Sequence, residues 1–447
     1  MKIRMYFDYY KYLFFIKKSE TSILIIDLLL FIFSTKAFFM QWGLTEKNIL
    51  HSASIFIVAV LSLIKFIYDT YKMITDLKKY NDKGSFSINS VESILYKNNL
   101  YFLNDIYPST VEEGYGFTRI DITSQDDFVF YSEKVNDLLW EKVFQTEINN
   151  NKEKKIKRML SAEKEELLPF FNHHFNNSIR DNKYFFNQKK LCLSNDVYAD
   201  ESKIYCHKGS YYDTFLTNHV CTKALYKKNN DLIFKNGSNY FPFEVYENKF
   251  RIKEIKHSTI NNEIGVSTLG FTSDNYLIIW KQNEHAQSSS NLFVPTGSGS
   301  SDWNDYDEAS FNQSIINGME RELLEESGLI NSSSGELCET KILGFFRWVK
   351  RGGKPEFVGI TKIKAKSSDL IPLEVEVRES RTQHRWQIKS IDDLIQLIFK
   401  LKENPEYKNS MSVPLYMCLT SLESRIRKNR EEVESFLGIK SSGLKDR

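Results

Sequence analysis

The sequence predicts a membrane-anchored α+β protein: an N-terminal two-helix transmembrane hairpin, then a strand-rich C-terminal region. Three observations predict it. Two long apolar stretches lie within the first 83 residues. Strand signals gather from about Ala224 onward. Between two sets of strands, Ser310 to Ser327 has helical periodicity and ends in a cluster of glutamates.

The first apolar stretch runs from about Ser22 to Met40, the second from about Ile49 to Tyr68. Each approaches the roughly 20 residues that cross a hydrocarbon core. The connection around Gln41 to Asn48 is short, so the two helices are expected to be antiparallel neighbours. No small-residue cleavage site follows the first stretch and a second comes at once, unlike a cleaved signal peptide. Lys2, Arg4, Lys11, Lys17 and Lys18 precede the pair, and Lys72, Lys78, Lys79 and Lys83 follow it. The positive-inside rule then puts both termini in the cytoplasm of a multi-pass inner-membrane protein. Asp27, Lys36 and Lys65 fall within the spans, where ionisable groups are costly. They can pair or line a polar path in an oligomer; alternatively the lysines snorkel and Asp27 sits near a thinned edge.

Of the 447 residues, 41% are hydrophobic, enough for a sizeable core, and 14% are aromatic, a composition that favours order over disorder. The net charge of +2 argues against a protein that coats nucleic acid polymers. Five cysteines with no C-x-x-C pair are not a disulfide framework and fit a reducing compartment. His173, His174, His207 and His219 match no zinc spacing with those cysteines.

Residues 84–190 read as a linker or accessory region. Tyr101–Leu103 and Asp127–Tyr131 look like short strands, and Leu138 to Ile156 looks helical. The basic run Lys152, Lys154, Lys155, Lys157 and Arg158 is either a juxtamembrane contact or a solvated helix face. Residues 191–262 read as lead-in strands, 263–398 as the main C-terminal domain and 399–447 as closing helices. In that domain Ile264–Phe271 and Tyr276–Trp280 read as a hairpin. Asn291–Pro295 is a further strand leading to a glycine loop, Thr296–Ser300. Ile342–Trp348 and Phe357–Ile363 pair through a turn at Arg351–Pro355.

The string Arg321-Glu322-Leu323-Leu324-Glu325-Glu326-Ser327-Gly328-Leu329 carries the chemistry. Glu322, Glu325 and Glu326 share one helix face, because positions i, i+3 and i+4 are neighbours. Three carboxylates so close repel unless a hard cation such as Mg²⁺ or Mn²⁺ sits among them. Arg321 can orient one of them. Trp303, Phe346, Arg347, Trp348, Lys350, Arg351 and Lys354 supply aromatic and cationic candidates for a nucleotide, with Arg347, Trp348, Lys350 and Lys354 the chosen ligand-binding set. Glu356 is a candidate late carboxylate.

Those nine residues resemble the second half of the Nudix signature, G-x5-E-x7-R-E-U-x-E-E-x-G-U, and the resemblance spans about Glu263 to Ile398. It implies an α/β/α sandwich, a metal site of Glu322, Glu325, Glu326 and the Gly297 or Gly299 carbonyl, and Arg321 and the three glutamates as catalytic residues. The first half departs from the pattern: Gln313 stands where the glutamate belongs and Asp307 where the glycine belongs, with Glu308 the candidate substitute. Hydrolysis is thereby in question, and phosphate binding is not. The pairing of a two-helix anchor with such a domain resembles the membrane–Nudix effectors of bacterial CBASS antiphage systems. That resemblance implies a cyclic nucleotide made by a nucleotidyltransferase as ligand, the bilayer as target and a homo-oligomer as working form. The competing expectations are a membrane-tethered hydrolase of nucleoside diphosphates linked to X, and a scaffold, which has no use for the glutamate face.

Overall fold

The computed structural model describes residues 2–42, 49–78, 86–122, 125–198, 203–227, 232–234, 237–282, 291–329, 337–371 and 382–439. Most of the Gln41–Asn48 connection, Lys79, Lys83 and the Lys235–Asn236 turn lie outside them. The chain divides into two units. One comprises Met1–Asn89, Lys157–Asp181 and Leu225–Phe234; the other holds Ser90–Ile156, Asn182–Ala224 and Lys235–Arg447.

The first unit is mainly helical. It contains α1 (Lys2–Ile16), α2 (Lys18–Trp42), α3 (Ile49–Lys78) and α4 (Lys164–Arg180). Two helical stretches, Glu20–Met40 and Ser52–Thr75, are long and apolar enough to cross a membrane. Few of their side chains are buried within the protein, as expected if their apolar surface faces lipid. Helix begins well before the apolar stretch expected from Ser22, and α1 is a separate element ahead of α2. Met5, Tyr9, Tyr12 and Ile16 recur at helical spacing and are buried. Tyr9 stacks on Phe175 of α4 with ring centroids 4.0 Å apart, and its hydroxyl donates to Asn172 Oδ1 at 2.6 Å.

The second unit is built on a mixed sheet whose strands are β1 (Thr118–Ile122), β2 (Asp127–Tyr131), β6 (Gly265–Thr272), β7 (Tyr276–Lys281), β8 (Phe293–Val294), β9 (Gly297–Ser300), β10 (Cys338–Trp348), β11 (Lys354–Ile363) and β12 (Thr382–Gln387). The intervening β3 (Gln145–Ile148), β4 (Lys189–Leu193) and β5 (Lys203–Ser210) form a separate small sheet. The main path runs β8-β7-β6-β11-β10-β2-β1, with β9 beside β6 and β12 beside β7. β6 and β11 are parallel, from Gly265 opposite Glu356 to Thr272 opposite Ile363.

Helices cover both faces. On one, Phe311, Ile315 and Met319 of α5 (Phe311–Glu326) pack with Val266, Phe345 and Phe357. On the other, α6 (Ile391–Glu403), α7 (Val413–Lys428) and α8 (Arg430–Leu437) pack Leu394, Leu422 and Val433 with Leu269, Val358 and Ile360. This is an α/β/α sandwich.

In residues 84–190, β1 and β2 extend the main sheet beside β10, and β2 is the strand expected at Asp127–Tyr131. One expectation there is corrected. The helix read over Leu138–Ile156 is broken: a helix ends at Glu141, β3 pairs with β5, and a new helix begins at Asn150. The break is made by Phe144, buried in the core, whose N–H donates to Asn312 Oδ1 at 2.9 Å instead of continuing a helix.

Candidate functional site

The site is assembled where β9 leads into α5 through residues 301–310, which include a 3₁₀ turn at Trp303–Asp305. Ser310 caps α5, its hydroxyl accepting from Gln313 N–H at 3.1 Å. Gly328, with φ +71, ends it in the left-handed conformation that glycine adopts at no steric cost. The stretch Gly297–Ser300, expected as a loop, is a strand paired to β6 from Thr268 opposite Gly297 to Gly265 opposite Ser300. Its glycines let α5 lie directly on it. A Cβ on Gly297 would fall 2.6 Å from Leu323 Cα, and one on Gly299 would collide with the Glu322 carboxylate.

Arg321 is the centre of the arrangement. Its Nε donates to Asp305 Oδ1 at 3.0 Å, and its Nη2 to Asp305 Oδ2 and the Ser300 carbonyl, each at 3.0 Å. Its Nη1 donates to Glu322 Oε1 at 3.0 Å and Glu325 Oε2 at 3.2 Å. Burial alone would lower the pKa of this guanidinium, but Glu322, Asp305 and Asp302 hold it above its ordinary value. The buried Glu326 accepts from Ser298 N–H at 3.1 Å. Thus each signature carboxylate has a protein donor.

A second layer of charge lies against this one. The buried Lys190 of β4 donates to Asp302 Oδ1 at 2.6 Å. Burial opposes its charge, yet Glu263, Asp302 and Glu322 keep its pKa raised. Nearby, Trp303 and Tyr306 stack with centroids 5.3 Å apart and planes 6° from parallel, and Lys208 Nζ lies 4.9 Å from the Trp303 ring centroid.

The oxygens of this donor set suit a hard cation such as Mg²⁺ or Mn²⁺. However, a guanidinium sits between Glu322 and Glu325, and among the described residues no three acidic, histidine or cysteine side chains gather as a metal cage. The arrangement as it stands does not fit the metal.

The other residues expected to contact a ligand have partners outside α5. Arg347, expected to bind ligand, is fully buried: Nη1 donates to Glu112 at 2.6 Å and Nε to the Gly353 carbonyl at 2.7 Å. Lys354 is buried and pairs with Glu356, the carboxylate suggested as a late addition to the site, at 2.5 Å. Trp348 Nε1 donates to Asp127 at 2.7 Å, and Lys350 pairs with Asp126 at 3.4 Å. None of these four bonds a carboxylate of α5, because β10 and β11 commit them to neighbouring strands and turns.

Glu308 is exposed, Gln313 bonds Asn317, and Asp307 accepts from Ala309 and Ser310 N–H. The carboxylate that reaches Arg321 is Asp305. Its only local signal is the capping pattern Asp302-x-x-Asp305. Lys190 had no signal at all, being 112 residues from its partner.

In the helical unit, Lys65 Nζ donates to both oxygens of Asp27, at 2.8 and 2.9 Å, whereas Lys36 is exposed on α2. His207 is buried against Ser194 and His173 meets Asn177.

No protein-family model matches the chain, and no curated protein matches it. Solved structures give distant similarities. A candidate Nudix hydrolase is 15% identical with TM-score 0.23, covering 36% of this chain and 71% of its own. The MutT protein from Methanosarcina mazei Go1 is 14% identical with TM-score 0.24, covering 37% of this chain and 96% of its own. An ADP compounds hydrolase is 14% identical with TM-score 0.24, covering 46% and 84%. With TM-scores this low, neither fold nor activity is taken from them.

Proposed function

We propose that this chain is a membrane-held, Nudix-like nucleotide sensor, an effector of the CBASS antiphage type. In this reading a cyclic nucleotide made by a nucleotidyltransferase binds at the β9–α5 junction, protomers reorder, and the α2–α3 hairpins disrupt the inner membrane from a protein with both termini in the cytoplasm. The observation that carries it is the Arg321 clamp. The signature helix and its strand are in place, but its carboxylates are tied to Arg321 and Ser298. Such a frame holds a ligand without being set for hydrolysis. The half-buried Trp303 and the cation of Lys208 offer a stacking surface and a phosphate contact at its edge.

The shared helix face of Glu322, Glu325 and Glu326 favours a second reading, a tethered Mg²⁺- or Mn²⁺-dependent hydrolase of nucleoside diphosphates linked to X. The two are separated by calorimetric titration of the full chain in detergent with a panel of cyclic di- and trinucleotides, with Mg²⁺ present and product analysis afterwards. The sensor reading expects binding with the nucleotide recovered intact. Failure to bind any of the panel overturns it. Turnover of a linear diphosphate that disappears in Glu326→Gln establishes the hydrolase instead.

A further inference from the structure

The helix α1 carries two apolar stripes with the same 4-3-4 spacing. Met5, Tyr9, Tyr12 and Ile16 form one, which is buried. Tyr9 and Tyr12 of that stripe meet aromatic rings of α4. Ile3, Phe7, Tyr10 and Phe14 form the other, and these are between 46% and 86% exposed. A helix in water has no reason to repeat an apolar stripe on an uncovered face.

We propose that this second stripe seats α1 in the headgroup region of an anionic bilayer. The inference rests on reading α2 and α3 as spans. Two features choose the bilayer as occupant. The first is continuity. Lys17 N–H donates to the Leu13 carbonyl and Thr21 N–H to the Lys17 carbonyl, so helical bonding passes from α1 toward α2. Met73, near the end of α3, lines the same small hollow as Tyr10 and Phe14. The stripe therefore begins where the apolar surface of the spans ends. The second is charge. Lys2, Arg4 and Lys11 stand against a single carboxylate, Asp8. Arg4 and Lys11 flank the stripe on one side, and Lys11 Nζ lies 5.9 Å from the Phe7 ring centroid. Anionic headgroups would satisfy that edge, whereas a second copy of α1 would bring further cations to it.

The five native cysteines are buried, so a cysteine placed on the surface can be labelled selectively. Full-length Phe7→Cys, Ile3→Cys, Asp8→Cys and Leu61→Cys variants would each carry an environment-sensitive fluorophore. They would be reconstituted in phosphatidylcholine vesicles with or without phosphatidylglycerol. Spin-labelled lipids with shallow or deep quenchers report depth. The expected result is shallow quenching at Phe7 and Ile3 at least about twofold above that at Asp8, stronger with phosphatidylglycerol, together with deep quenching at Leu61. In Arg4→Glu/Lys11→Glu chains the gain from phosphatidylglycerol should vanish. Quenching at Phe7 and Ile3 no greater than at Asp8, with Leu61 still quenched, overturns the proposal. Self-quenching between labels in that case assigns the stripe to a second copy. An unquenched Leu61 shows instead that the span reading itself has failed.

Discussion

The helical unit and the sheet unit treat buried charge differently. In the helical unit, Asp27 is covered and Lys65 is half exposed on an otherwise apolar surface. In water such a pair would contribute little; against hydrocarbon it spares the chain an isolated carboxylate. In the sheet unit, Arg347 and Glu112 are fully covered, and Lys354 and Glu356 nearly so. Burial pushes the Glu112 carboxyl up while Arg347 draws it down. The lesson is that polarity is inverted between the two units. One keeps apolar groups outside around a small polar contact, and the other locks ions into its core to fix strand ends and turns.

The comparison is broken most severely by Glu112→Ala. Losing the closest partner of Arg347 should cost about 3–5 kcal/mol, seen as a lower denaturant midpoint or loss of soluble protein. Next comes Lys65→Ala, which leaves Asp27 alone in an apolar span. The expected result is poorer membrane integration, which Asp27→Leu/Lys65→Leu should restore. If that double change is as damaging as the single one, the pair does more than neutralise itself.

A smaller loss, about 2 kcal/mol, is expected for Arg321→Ala, because Asp305 and the Ser300 carbonyl lose charged hydrogen bonds. The same variant should bind Mg²⁺ more tightly than wild type, since the guanidinium no longer neutralises Glu322 and Glu325; isothermal titration checks it. Gly299→Ala displaces the flexible end of Glu322, so a stability change of about 1 kcal/mol should accompany a clear drop in nucleotide affinity.

The smallest effect concerns Asp274. Burial would raise its carboxyl pKa, but hydrogen bonds from Thr272 Oγ1, Ser367 Oγ and Ser367 N–H hold it below the ordinary 3.8. That stabilisation is complete above the unfolded value and is lost as pH falls through the lower folded value. Asp274→Asn should therefore lower the melting temperature slightly at neutral pH, flatten the acid limb of a thermal-melting profile below about pH 4, and converge on wild type at the lowest pH.

Much of the sheet unit was legible because its signals are local. The apolar spacing of Ile315, Met319 and Leu323 and the Gly328 stop define α5 within a residue or so. The hairpin around Thr272–Asn275 and the paired strands around Gly352–Gly353 follow from alternation and turn chemistry. What was missed depends on distant partners. The strand at Asp127–Tyr131 was legible, but its place beside β10 was not, and Asp305 becomes important only because Arg321 reaches back to it. Arg347 and Lys354 looked like ligand contacts because cations near an expected cleft have the same sequence appearance whether they face a phosphate or a buried carboxylate. The α1 helix was hidden by its own double pattern, which leaves no clean polar face for a single-stripe reading to find.

The most direct test of a sensor that acts on membranes uses the full chain in dye-loaded vesicles, titrated with the cyclic nucleotide that calorimetry selects. Nucleotide-dependent dye release, with the nucleotide recovered intact at the end, is the predicted result. Hydrolysis of the nucleotide with the vesicles remaining sealed would contradict it.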